Sequence, residues 1–357
     1  MTSLTAVGAS PSDLHRAAAG RLAVFDALKA IASQLIVLHH LVAYGPLAEA
    51  FRGRFPQLAD WLFHEGRLAV QAFFVIGGYL AARSLAPALQ ARPLSLAPVL
   101  WRRYRRLALP CAAAVSISIL AAAISRTLID DPDVPAAPQP GQFLAHLLLM
   151  HDVLGVEALS AGVWYVAIDF QLHAMMAATV WLARLARPSR QHAALAVLTA
   201  GLAVLSLFLI NRDPDWDFAA PYFFGVYALG VAVCWLVRED LSPLWGVAVA
   251  LSVLCALHIE HRERLAVAGC IALALWLGLR SGLLFRWPEL RPLGFLGRIS
   301  FSVFLIHYPV AVLVNALVSR FWGVTPDSAI VGLGLAWATS VLAGAVFHRE
   351  VEVRCAA

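Results

Sequence analysis

His40 follows Lys29 by eleven residues. On an α-helix that is three turns and about 20° more, so the two side chains share one face, about 16 Å apart along the axis. Ser33 lies between them, Asp26 continues the face toward the chain start, and His39 points about 80° away from Lys29. Ionisable groups inside an apolar run are candidates for function, because burying them is costly. The plainer alternative is a histidine packed against a neighbouring helix above a lysine that snorkels to water. A second candidate group is Trp164-Tyr165-Val166-Ala167-Ile168-Asp169-Phe170-Gln171-Leu172-His173. Asp169 and His173 are one turn apart and can touch. A carboxylate in an apolar run must be paired or protonated, so Asp169 is either a structural hydrogen-bond partner or part of a proton-handling site. The segment Ile299–Pro309 brings Ser300 and His307 into another apolar run. Finally, Arg102, Arg103, Arg105 and Arg106 flank Tyr104 just before Leu107-Ala108-Leu109-Pro110. Four guanidinium groups at a membrane boundary form a fork-shaped anion site suited to phosphates.

The elements that must position these residues are apolar runs. The chain has 357 residues, of which 61% are hydrophobic and 14% charged, with a mean hydropathy of +0.75. A soluble domain carries about 25% charged residues, so the composition excludes an ordinary soluble enzyme. The runs are about 18–22 residues long, as spanning helices require, and lack the short alternation of a barrel. The expected fold is all-α: a polytopic integral membrane protein with about ten transmembrane helices. The candidate spans are 29–46, 67–84, 107–125, 162–182, 191–210, 219–237, 244–259, 264–279, 299–318 and 327–347, the seventh and eighth being short. With both termini in the cytoplasm, 19 of the 27 Lys and Arg residues fall inside, against 8 outside. The acids run the other way, 7 inside and 14 outside. That asymmetry favours cytoplasmic termini.

The expected outer face carries one long connection, about 126–161. Within it, Phe143–Met150 is apolar and too short to span, so it reads as a half-helix lying in or dipping into the outer interface. Residues 1–25 read as an N-terminal tail ahead of a single membrane domain, with no signal peptide, internal repeat or second soluble domain. Four of the five cysteines, Cys111, Cys234, Cys255 and Cys270, lie in apolar runs. None of the five, Cys355 included, forms a C-x-x-C pair. They read as small hydrophobes, so neither a disulfide framework nor a metal site is expected.

Taken in order, these segments resemble the membrane acyltransferase-3 family. Asp26-Ala27-Leu28-Lys29, with ten residues between it and His40, is similar to its first motif, with Lys in place of Arg. Phe73-Phe74-Val75-Ile76-Gly77-Gly78-Tyr79-Leu80 is similar to its second, with Gly77 for a serine. The basic run before Pro110 matches. Trp164–His173 echoes the next segment, with Asp169 for a glutamate and Gln171 retained, and Ile299–Pro309 echoes the last. The resemblance covers nearly the whole chain and implies the stand-alone form, without a soluble esterase-like domain.

The resemblance implies transfer of an acyl group, often acetyl, from cytoplasmic acyl-CoA to a hydroxyl of a cell-surface or exported glycan, in the inner membrane of a bacterium. Acyl-CoA is then a donor substrate and no permanently bound cofactor is expected. His40, with Asp169 or His173 orienting it, would be the catalytic group. Lys29, Arg102, Arg103, Arg105 and Arg106 would bind the donor, and Asp26, Trp164, Gln171, Ser300 and His307 would support the site. Expected partners are acyl-CoA, a glycan or lipid-linked glycan and membrane lipids; nothing points to nucleic acid. Direct transfer and an acyl-histidine intermediate both fit. Two other classes fit the same polar track: a proton-coupled transporter or flippase, and a non-catalytic membrane partner of a glycan-synthesis complex. The absence of an inverted repeat and of matched broken spans weighs against the first.

Overall fold

Apolar runs bounded by proline and polar turns fold here as helices, in a computed structural model that describes residues 23–90, 95–238 and 242–356. Most of the expected N-terminal tail lies outside the described residues. The helices, in order, are α1 (Ala23–Ala43), α2 (Pro46–Arg54), α3 (Pro56–His64), α4 (Val70–Gln90), α5 (Leu96–Leu128), α6 (Gln142–Leu147), α7 (Val163–Ala183), α8 (Gln191–Phe208), α9 (Ala220–Val237), α10 (Pro243–Ile259), α11 (Glu263–Arg280), α12 (Arg291–Phe321) and α13 (Pro326–Phe347). No strand occurs among the described residues. Proline at the first turn starts α2, α3, α9, α10, α12 and α13, where the missing N–H has no partner to lose. Thr325 and Ser328 add a reciprocal capping box at α13.

Each of the ten expected spans coincides with a helix, but among the described residues eight segments are long and apolar enough to cross a membrane. The other two are the short α10 and the charge-flanked α11. Two helices are much longer than their apolar runs. α5 has 33 residues and includes the arginine cluster; α12 has 31 and begins eight residues before Ile299.

The bundle turns on α12, which packs against α1, α5 and α13, and on a second pair, α4 with α9. Small residues let backbones touch. A Cβ built on Gly78 would lie 1.9 Å from the Tyr227 carbonyl oxygen, and one on Gly230 would lie 1.8 Å from that of Val75. Where lipid removes the hydrophobic drive between helices, such close packing takes its place. Gly297 of α12 sits as closely on the Asp26 backbone of α1, 2.2 Å from its carbonyl oxygen by the same measure.

The long connection descends along α5 instead of lying flat across the bundle end. Ser118 Oγ donates to the Leu159 carbonyl at 2.7 Å and Tyr104 Oη donates to the Leu147 carbonyl at 2.8 Å. Those contacts are spread over about 21 Å of α5. The half-helix expected over Phe143–Met150 is α6, six residues long, followed by a turn in which Leu149 takes a positive φ of 56°.

Candidate functional site

Two cavities meet inside the bundle, and one side chain belongs to both. The lower cavity, about 430 Å³, opens beside the arginine-bearing end of α5 and is lined by Lys29, Arg103, Arg106, Tyr165, Asp169, Arg298 and Ser300, among others. The upper cavity, about 670 Å³, is lined by His39, His40, Tyr44, Gln71, Trp164 and Arg264, with Asp152 and Glu157 from the long connection. Phe304 lines both. Its ring is edge-on to Tyr165, with centroids 5.6 Å apart. It also faces Gly162, where a Cβ would lie 2.8 Å from Cζ. Gly162 has a φ of +81° at the start of α7, a conformation that favours glycine. This glycine therefore both turns the chain and leaves room for the partition.

His40 forms the floor of the upper cavity, paired with a histidine 267 residues away. His40 Nδ1 and His307 Nε2 are 2.7 Å apart, and His307 Nδ1 is 2.7 Å from the Phe304 carbonyl oxygen. The two rings are within 13° of parallel with centroids 4.9 Å apart. With a nitrogen–nitrogen contact of 2.7 Å, that is an in-plane, edge-to-edge hydrogen bond and not a face stack. The tautomers follow from donor and acceptor rules. A carbonyl only accepts, so His307 Nδ1 carries a proton and, in neutral His307, Nε2 accepts. His40 must then donate through Nδ1, which leaves its Nε2 with a lone pair. His39 also lines the upper cavity, but its ring packs beside Phe63, centroids 5.5 Å apart, and its buried Nδ1 has no hydrogen-bond partner among the described residues.

The lower cavity is built around an ion pair. Arg103 Nη2 lies 2.5 Å from Asp169 Oδ2, tying α5 to α7. Asp169 is 5% exposed, so the pair meets the requirement that a buried carboxylate find a cation. That cation is Arg103, where the sequence pointed to a histidine. His173 is buried one turn further along α7 and makes no hydrogen bond to Asp169. Lys29 pairs with Asp26 at 2.9 Å. Of the four clustered arginines, Arg103 and Arg106 line the cavity. Arg102 and Arg105 do not. Trp164 lies in the upper cavity and Ser300 in the lower. Gln171 holds two helices together, its Oε1 accepting from Ala220 N–H at 3.0 Å, at the start of α9.

Residues 22–347 match the acyltransferase-domain family Acyl_transf_3. The chain belongs to this family of membrane acyltransferases. No curated protein and no solved structure matches it.

The departures from the family motifs have local physical accounts. Asp169, a methylene shorter than glutamate, still reaches Arg103. Gly77 stands beside it: a Cβ there would lie 3.7 Å from Asp169 Oδ1 and 3.3 Å from the Tyr227 ring. The glycine widens the lower cavity where a serine would narrow it.

Several lining residues of this acyltransferase carried no signal in the sequence. Phe304 looked like one more apolar residue. Arg298 lies in the basic stretch before Ile299, where it read only as a topology charge. Glu352, which accepts from Ser302 Oγ at 2.6 Å and pairs with His348 at 2.9 Å, sits near the chain end. Above the partition, burial raises the Asp152 carboxyl from its usual range, opposed by the charge of His146 and assisted by that of Asp217. No group of three or more His, Cys, Asp or Glu able to hold a metal occurs among the described residues.

Proposed function

We propose that this acyltransferase moves an acyl group, acetyl as the first candidate, from acyl-CoA in the lower cavity to a hydroxyl of a glycan or lipid-linked glycan in the upper one. The observation that carries the reading is the partition. A cation-lined cavity and a histidine-lined cavity share one lining residue, Phe304. The basic bias of the lower end supports an orientation with that end in the cytoplasm, where acyl-CoA is supplied.

His40 lines the upper cavity and not the lower, which supports a role on the acceptor and direct transfer over an acyl-histidine intermediate. Its Nε2 takes the proton of the acceptor hydroxyl as that oxygen attacks the thioester carbon. The new C–O bond forms, the C–S bond breaks, and His40 returns the proton to the departing thiolate. During the step His40 is an imidazolium whose Nδ1–H still points at His307 Nε2. The relay ends on a backbone carbonyl, so charge is stabilised without a second ionised group beside His40. For the thioester to reach His40, the Phe304 ring must rotate or the acyl end must pass beside it.

The test is CoA release and label transfer from radiolabelled acetyl-CoA in membranes, joined to mass spectrometry of surface glycans from a deletion strain. H40A should abolish transfer and H39A should reduce it less. Glycans unchanged in the deletion strain, together with no acetyl-CoA turnover, would overturn the reading.

A further inference from the structure

A third cavity, about 460 Å³, lies at the foot of α12, within the size range of small-molecule sites. Its wall includes Asp26, Trp287, Glu289, Arg291, Gly294 and Arg298. Arg298 also lines the lower cavity, and the Asp26–Lys29 ion pair stands between the two, one partner facing each. Arg298 leans toward the third cavity: its Nη1 lies 3.7 Å from where a Cβ on Gly294 would be. Helical side chains tilt in that direction, toward the helix start. Neither Arg291 nor Arg298 has a carboxylate within salt-bridge distance among the described residues. Trp287 is 40% exposed, and no other aromatic ring packs on its indole among the described residues.

We propose that this cavity binds the nucleotide end of the donor, a purine nucleoside carrying phosphates. The inference rests on acyl-CoA being the donor. The base stacks on Trp287, its exocyclic amine donates to Glu289, and the phosphates take Arg291 and Arg298. The lower cavity, beyond the exposed Arg106 at its mouth, then holds only the uncharged arm. From Arg291 to Phe304 is about 20 Å along α12, of the order of an extended pantetheine–diphosphate arm. The chemistry of each lining residue matches one part of such a ligand: an open aromatic face for a base, unpaired guanidinium groups for phosphate oxygens.

The test uses the full chain in lipid nanodiscs with adenosine 3′,5′-bisphosphate as the probe, followed by titration calorimetry. W287A and R291Q should each weaken binding about tenfold or more, as lost base stacking or a lost phosphate contact does. W287F, which keeps a ring, should stay within about threefold of wild type. The preference for acetyl-CoA over S-acetyl-phosphopantetheine, which lacks the nucleotide, should shrink in W287A and R291Q by the same factor. Failure of the probe to bind, or equal binding by W287A, R291Q and wild type, would overturn the proposal. So would the same loss caused instead by R102Q or R105Q. The donor reading is judged separately. Probe binding that depends on Trp287 and Arg291, with no acyl transfer from any acyl-CoA, would leave the nucleotide site standing and remove the proposed reaction. Acyl transfer without that dependence would do the reverse.

Discussion

Replacing His307 by phenylalanine keeps a ring of similar shape and removes the acceptor for His40. In the structure His40 Nδ1–H points at His307 Nε2 at 2.7 Å. The His307 tautomer is fixed by the Phe304 carbonyl, also at 2.7 Å. Two losses follow in H307F. When His40 becomes an imidazolium, its Nδ1–H is a charged donor, and a hydrogen bond to a charged group is worth about 1.5–3 kcal/mol. Losing it in the transition state lowers kcat by about ten- to 150-fold. In addition, nothing holds the proton on Nδ1, so His40 populates the tautomer with Nε2 protonated, which cannot act as base. The same defect in a Ser-His-Asp triad costs about 10⁴. The expected fall in kcat therefore lies between about 10² and 10⁴, with the KM for acetyl-CoA within about twofold because His307 is absent from the lower cavity. H307Q can turn its amide oxygen toward His40 and should recover about tenfold of the loss relative to H307F. The assay is initial rates on purified enzyme in nanodiscs, with elution profiles confirming folded protein. If H307F keeps more than half of wild-type kcat, or if H307Q and H307F lose activity equally, the tautomer argument fails.

Four further outcomes are expected. D169N removes the charge that Arg103 faces while keeping shape, and should lose most activity without losing the fold, whereas D169E should keep part of it; a fully active D169N would mean that the ion pair is only structural. R106Q should raise the KM for acetyl-CoA at least threefold with a smaller effect on kcat, and R102Q with R105Q, outside the lower cavity, should change it less than twofold; steady-state kinetics on correctly inserted protein decides. F304A should join the two cavities and raise acetyl-CoA hydrolysis without acceptor relative to transfer, and an unchanged ratio would show that Phe304 is no barrier. His151, fully buried beside His146 with its pKa pushed down by burial from 6.5 to about 4, binds its proton more readily when the 142–159 segment opens. The segment's stability is therefore complete above pH 6.5 and is lost as pH falls toward 4, by on the order of 3 kcal/mol. Hydrogen exchange there should speed up at about pH 5 in wild type and much less in H151L, and equal pH response would refute this.

The helices were legible because spanning length and hydropathy are local properties. Their ends were not, since hydropathy marks the apolar part and not the helix. The run starting at Ile299 continues as helix back to Arg291, where Pro292 begins it, and α5 takes in the whole arginine cluster. Within the site, the shared face of Lys29 and His40 is a matter of period along one helix and could be read directly. The partner of His40 could not, because it depends on how α1 and α12 pack. The spacing of Asp169 and His173 pointed to a local pair. Tertiary packing instead brought in Arg103, which forms a stronger, charge-assisted bond. Phe304 gave no signal at all, since a partition is defined by what lies on either side of it.

With acyl-CoA as the proposed donor, the distribution of charge in the lower cavity bears on how its polyanionic end meets an apolar bundle. Lys29, Arg103, Arg106 and Arg298 all line it. Two of these are already neutralised, Arg103 by Asp169 and Lys29 by Asp26. Among the described residues, unpaired positive charge therefore remains on Arg106 and Arg298, both exposed. An ion pair at the throat costs desolvation and offers an incoming phosphate little net attraction. Phosphates should therefore stop at the mouth, and only the uncharged arm with its thioester should pass on toward Phe304. On that proposed reading Asp169 acts as a counter-charge. It keeps Arg103 in the wall of the cavity and stops it from drawing the donor's charged end into the reaction path.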